Sequence, residues 1–206
     1  GVNFGPPVNR EVRAADVKYA IERFFAGSVS GQYPVYFQDL LGAPSQPTRS
    51  GVPRIRGVVA QDDRTLVFRL RKPRGVQLAA ALVMPITIPV PREYAKKFDA
   101  KRYSTYNFYV VSSGPYMVAN NKAGRLTGYK PGRSITLVRN PRWQSATDFR
   151  PAYASKIVIR TDAYDSNDAA YKVLDGKSMI SAEDTPPAVV KEAARSAAAQ
   201  LATAPA

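Results

Sequence analysis

The chain has 206 residues, a net charge of +14, 45% hydrophobic and 22% charged residues, a balance typical of a globular protein and not of a disordered one. This length suits one large domain or two small ones. Cysteine and histidine are both absent, which excludes disulfides, thiol catalysis and histidine general bases and removes the usual N and S ligands of zinc and copper. No apolar run approaches the roughly 20 residues that span a bilayer, and a start at Gly1 without a basic-then-apolar leader is expected of a mature or trimmed chain. The excess of positive charge raises nucleic acid or an anionic surface as a partner. The basic residues are scattered, however, and the densest stretch, Arg69 to Arg74, falls at the end of a predicted strand. No zinc-finger spacing or basic helix face accompanies it, so such binding stays the alternative reading.

In chain order, the first element is a helix over "AADVKYAIERFFAG". Val17, Ala20, Ile21, Phe24 and Phe25 recur at i, i+3, i+4, i+7 and i+8, one apolar face, with Gly27 placed to end it. An aromatic stretch, "GQYPVYF", runs into a Pro-, Ser- and Gly-rich loop. "IRGVVAQDDRTLVFRLRKP" reads as a hairpin: a strand around Gly57 to Ala60, a turn at Gln61 to Arg64, and a strand from Thr65 to Leu70. Leu66, Phe68 and Leu70 alternate with Val67, Arg69 and Arg71, giving one buried and one wet face. "VQLAAALVM" predicts a short buried helix stopped by the prolines that follow.

The segment "VVSSGPYMV" interrupts an apolar run at Gly114-Pro115, as a strand entry with proline at its first position would. "AGRLTGYKPG" reads as a glycine-spaced loop, and "SITLVR" as a strand ended by Asn140-Pro141. "SKIVIRTD" is apolar on both faces, which predicts a central strand. A helix over "DSNDAAYKVLDG" is capped by Asp165 or Ser166 and closed by Gly176, and "SMI" resumes a strand. This strand–helix–strand order predicts a parallel βαβ crossover over Lys156 to Ile180. A last helix takes Thr185 as N-cap and Pro186 at its first position. The fold class is therefore α/β (mixed α+β), a mixed sheet with flanking helices.

Catalytic signatures are missing. The glycine-flanked serines at Gly27 to Gly31 do not register as a nucleophile elbow, and no histidine exists to serve as base. Gly124, Gly128 and Gly132 recur every four residues but fit no phosphate or dinucleotide loop. Asp62-Asp63 has the place of a turn former, and Glu183-Asp184 precedes a helix N-terminus, where negative charge is favoured. No enzyme activity and no cofactor are expected.

Five segments, "VRAADVKYAIERFF", "DDRTLVFRLRKP", "SGPYMV", "ITLVRNPRW" and "KIVIRTDAYDSNDAAYKVLDGKSMI", follow one another from Val12 to Ile180. In order and spacing they resemble the family 5 extracellular solute-binding proteins, receptors of dipeptide and oligopeptide ABC importers. Two departures stand out: Arg13 replaces the threonine that caps the first helix, at a cost of ~1 kcal/mol unless another acceptor takes over, and Lys177-Ser178 replaces an acidic step. Family members are considerably longer, so the resemblance implies an incomplete first lobe of the type II periplasmic-binding-protein fold. It implies an outer subdomain over residues 1–108, part of the main sheet with a βαβ crossover over 109–181, and a helical tail over 182–206 crossing toward a second lobe.

The same resemblance implies a peptide or other small solute as ligand (nickel complexes, haem and sugars also occur among the relatives) and a membrane permease as partner. Nucleic acid is not a partner on this reading. The protein would act in the periplasm or at the outer face of the cytoplasmic membrane, secreted or lipid-anchored. Tyr33 matches an aromatic that faces the cleft in oligopeptide-binding relatives; its plain alternative is that Tyr33, Tyr36 and Phe37 pack the outer subdomain. Tyr116, on the cleft-adjacent strand, is a further candidate for ligand contact on this resemblance, and Ser181, Glu183 and Asp184, where the chain crosses between lobes, are candidates for ligand contact or hinge. A lone lobe is expected to self-associate through uncovered apolar surface.

Overall fold

The computed structural model describes residues 1–29, 31–49 and 51–196. They form two compact units: residues 1–129 with 136–158, and residues 130–135 with 159–206, the latter described to Ser196.

In the first unit, helix α1 (Ala14–Arg23) stands between two apolar clusters. Ile21 and, just beyond the helix, Phe25 pack with Phe37, Leu40, Ile55, Val58 and Ile86, while Tyr19 and Ala20 pack with Val90, Ala95, Phe98 and Tyr106. The predicted apolar face is therefore correct, with Val17 and Phe24 partly buried at its margin. The helix stops at Arg23, ahead of Gly27, and the chain turns through Phe24 to Ala26. Arg13 leaves no uncapped end. The Asp16 N–H, which a threonine side chain would take, donates to the Arg13 carbonyl at 2.9 Å. The Ala14 N–H donates to the Asp63 carbonyl at 2.8 Å, and the Asp16 carboxylate accepts from the Arg13 N–H at 2.8 Å, so other acceptors serve the first turn.

The hairpin forms as expected, β1 (Val58–Ala60) antiparallel to β2 (Leu66–Phe68), with Val58 opposite Phe68 and Ala60 opposite Leu66. Asp62 makes its turn: Oδ1 accepts from the N–H groups of Arg64 and Thr65, both at 2.8 Å. Leu66, Phe68 and Leu70 pack on the first cluster. Helix α2 (Gly75–Ala81) corrects the reading of a buried helix, because only Leu78 and Ala81 are buried and Val76 is 82% exposed. A run this apolar carries no polar face by which a sequence would separate a half-buried helix from a buried one. Helix α3 (Arg92–Asp99) buries Ala95 and Phe98 in the second cluster.

A four-stranded sheet follows, of β3 (Tyr116–Val118), β4 (Tyr129–Lys130), β5 (Ser134–Arg139) and β6 (Lys156–Arg160), in which β3, β4 and β6 all pair with β5. The mixed α/β fold class holds. The glycine-spaced loop contains β4 and the Asn120–Leu126 bridge, so it is more ordered than its glycines suggest. The central position predicted for "KIVIR" is corrected: β6 pairs with β5 alone, and Val158 and Ile159 are half exposed.

In the second unit, helix α4 (Ser166–Leu174) is capped by Asp165, whose carboxylate accepts from the Asp168 N–H at 2.9 Å, and Gly176 follows it at φ +71°. Helix α5 (Pro187–Ser196) packs on α4, burying Ala170 and Val189, and starts one residue later than predicted, after Pro186. The rest of the predicted last helix lies outside the described residues. "SMI" forms no strand, and the parallel crossover is absent among the described residues: Met179 and Ile180 are 95% and 83% exposed. A strand needs a neighbour to pair its N–H and C=O groups, and no described strand lies beside this one.

Candidate functional site

The Gly-Pro-Tyr interruption and the Arg-Asn-Pro strand end, read separately in the sequence, meet in space. Tyr116 stands opposite Arg139 across β3 and β5, which brings Pro115 beside Asn140. The Asn140 N–H donates to the Pro115 carbonyl at 2.9 Å. Its buried side-chain amide donates to the carbonyls of Gly114 at 3.0 Å and Ser112 at 3.4 Å. Pro115 sits one residue ahead of β3 and not at its first position as expected, so it has no ladder N–H to lose, and Asn140 supplies donors to the carbonyls of the turn. Gly5 closes the other side, donating to the Ser112 carbonyl at 2.8 Å; a Cβ at Gly5 would lie 2.7 Å from Asn140 Oδ1. Asn140 was missed in the sequence, where an asparagine before proline signals only a strand stop.

Tyr116 is half-buried beside this clamp. Its hydroxyl donates to the Ala154 carbonyl at 2.9 Å, and its cross-strand neighbour Arg139 donates to the carbonyls of Ala154 at 3.1 Å and Tyr153 at 2.6 Å. The two side chains together hold the segment that leads into β6. Tyr33 lies elsewhere in the same unit, at the start of a short 3₁₀ turn over Pro34–Phe37. Phe37 is fully buried and anchors the turn, while Tyr33 and Tyr36 are 40% and 59% exposed. Packing alone thus accounts for Phe37 and not for the two tyrosines. In the second unit, the Ser181 hydroxyl accepts from the Glu183 N–H at 3.1 Å, and Glu183 and Asp184 stand exposed ahead of α5. The structure brings Ser181 and Glu183 together, and places Tyr33 and Tyr116 on different elements.

The "YAIER" run of α1 carries a buried charge network that periodicity did not signal. Asp99, 2% exposed, accepts from Arg23 at 2.6 and 2.9 Å, from the Tyr19 hydroxyl at 2.9 Å and from the Ser104 hydroxyl at 2.6 Å. Arg23 lies over the Tyr106 ring at 4.9 Å. Burial pushes the Asp99 carboxyl up, but the Arg23 and Ser104 hydrogen bonds outweigh it and hold its pKa below the ordinary value. Burial, then the Asp99 charge, raises the Tyr19 hydroxyl, and burial pushes Tyr106 up to about 12. Asp16 is likewise buried and paired, with Arg10 at 2.7 and 2.8 Å. Among the described residues the buried charges Asp16, Glu22, Arg23 and Asp99 are all matched, and the Arg23–Asp99 pair ties α1 to α3. Among the described residues no group of three or more carboxylates stands together to hold a metal.

The sequence profile of the bacterial extracellular solute-binding proteins, family 5 Middle, matches residues 9–205. None of the curated sequences compared with the chain matches it. Among solved structures, the clavulanic acid biosynthesis oligopeptide binding protein 2 is similar over 95% of this chain and 33% of its own, at 26% identity and a TM-score of 0.73. OppA of Haemophilus influenzae, in complex with the peptide RPPGFSPFR, is similar over 94% of this chain and 35% of its own, at 16% identity and 0.66. NikZ of Campylobacter jejuni, in complex with Ni(L-His), follows over 85% and 29%, at 18% identity and 0.56. The chain spans about a third of the length of these proteins. With the profile matched over nearly its whole length, and with a fold that these proteins share, the chain belongs to family 5 of the bacterial extracellular solute-binding proteins.

Proposed function

We propose that the chain is part of the first lobe of a receptor that captures a peptide outside the cytoplasmic membrane and delivers it to an ABC permease, without catalysis. The observation that carries this reading is the likeness to an oligopeptide-binding protein over 95% of the chain at a TM-score of 0.73. The peptide in the matched OppA structure supports the same ligand class, while Ni(L-His) in NikZ makes solute identity the point that an experiment must read directly. In this proposal residues 1–108 form the outer subdomain, 109–181 belong to the main sheet, and 182–206 lead toward a second lobe. Two lobes closing on solute would bury it and alter the outer surface that a permease meets.

Tyr33 is the residue assigned to ligand contact, since its ring is exposed on an anchored turn and offers an apolar face and a hydroxyl. Tyr116 contributes ring surface, because its hydroxyl is engaged by Ala154. The exposed turn of Ser181, Glu183 and Asp184 serves as ligand contact or hinge.

A cleft receptor draws contacts from both walls. Losing two charge-assisted hydrogen bonds, at ~1.5–3 kcal/mol each, weakens binding by a factor of about 10³. Calorimetric titration with a mixture of short peptides, on the full gene product and on these 206 residues alone, tests the reading. The full product is expected to bind and the 206 residues to bind about 10³-fold more weakly. Light scattering of the latter is expected to show self-association through exposed side chains such as Tyr164 and Met179. Equal, tight binding by a monomeric 206-residue chain would contradict the two-wall account.

A further inference from the structure

The first unit carries a concave surface whose lining includes neither Tyr33 nor Tyr116. It is a cleft of about 500 Å3 between α1, the Val52–Arg56 loop and the β1–β2 hairpin. Five cations line it, Lys18, Arg54, Arg56, Arg69 and Arg92, against one carboxylate, Glu22. Glu22 is already matched: it pairs with Lys18 at 2.7 Å and accepts from the Ile55 N–H at 2.8 Å. The Lys18 ammonium also donates to the carbonyls of Ile55 and Val58. That pair cancels, and four guanidiniums remain. Among the described residues Arg54, Arg56, Arg69 and Arg92 make no ion pair, whereas seven arginines elsewhere each hold a carboxylate. Other arginines are unpaired too, and what sets these four apart is that they line one cleft.

Like charges gathered on one concave wall repel one another, and an apolar floor (Val52, Val58, Val59) focuses their field into the cleft. Anion binding relieves that repulsion. Guanidinium forks match the oxygens of phosphate and carboxylate bidentately, but a single carboxylate engages one fork, whereas a phosphate group offers three acceptor oxygens and nearly two charges. The volume exceeds what one small ion fills and suits a ligand with some apolar body. We propose that this cleft is a binding site for a multivalent, phosphate-bearing anion, distinct from the peptide surface.

The phosphate can come from a soluble molecule or from a lipid headgroup, and the test separates them. Titration calorimetry with inorganic pyrophosphate is run on the wild-type chain, on R54Q/R69Q, and on K101Q/K122Q, which removes the same charge from exposed positions outside the cleft. The cleft variant is expected to bind at least about tenfold more weakly and the control within about twofold. Co-sedimentation with phosphatidylglycerol vesicles, against neutral phosphatidylcholine, forms the second arm. Vesicle binding that R54Q/R69Q abolishes assigns a headgroup, and pyrophosphate binding without it assigns a soluble ligand. No binding in either arm, or equal losses in both variants, would overturn the site.

Discussion

Removing the Asp99 carboxylate with Asp99→Ala takes the acceptor from two buried donors, the Arg23 guanidinium and the Tyr19 hydroxyl, and from the half-buried Ser104 hydroxyl. Both charged partners are almost wholly buried, Asp99 at 2% and Arg23 at 7%, so the uncompensated cation cannot turn to water without opening the α1–α3 contact. Breaking such a pair costs about 3–5 kcal/mol, which for a chain of this size lowers the melting temperature by roughly 6–20 °C. Urea unfolding followed by the fluorescence of Trp143, the single tryptophan and a residue of the first unit, gives the readout. Replacing both charges together, Arg23→Met with Asp99→Leu, is expected to recover much of the loss. The pair also sets an acid limb. Because Asp99 titrates lower in the folded state than in the unfolded one, its stabilisation is complete above the unfolded value near ~3.9 and is lost as pH falls through the folded value. A loss under about 1 kcal/mol for Asp99→Ala, the range of an exposed pair, would refute the reasoning.

Asn140→Ala is expected to cost about 1–3 kcal/mol in the same unfolding assay, because the Ser112 and Gly114 carbonyls lose buried donors; an unchanged midpoint would remove the clamp from the account. Tyr116→Phe gives up only the hydrogen bond to Ala154 and should cost about 0.5–1.5 kcal/mol. Calorimetry on the full gene product should find peptide affinity unchanged, whereas a large loss would make that hydroxyl a ligand group. Tyr33→Ala removes an exposed ring, so stability should move by no more than about 0.5 kcal/mol. Its peptide affinity should nevertheless fall about tenfold, and an unaltered affinity would take Tyr33 out of the site.

Local periodicity carried the elements whose partners lie close by. The face of α1, the Leu66–Phe68–Leu70 alternation and the Asp165 cap all depend on neighbours a few residues away, and they stand as read. Elements whose character depends on distant partners did not. Strand β6 is apolar because of its residues and an edge because of its pairing, and only the second is a fact of tertiary structure. Residues Ser178 to Ile180 carry strand composition with no described strand to pair with. At the candidate site, the turn at Gly114-Pro115 was legible as a strand entry, but Asn140 was not visible as the residue that holds it. The Tyr19–Arg23–Asp99 network was equally hidden, since α1 and the end of α3 are joined only by folding. Ring exposure at Tyr33 decides between packing and presentation, and no pattern in "GQYPVYF" encodes it.

The most direct test of the receptor reading is mass spectrometry of whatever small molecules leave the natively purified full gene product on denaturation. The account predicts short peptides, in amounts near one per protein and absent from a Tyr33→Ala preparation or strongly reduced in it. Oligonucleotides, or recovery of a solute other than peptide in that stoichiometry, would contradict it.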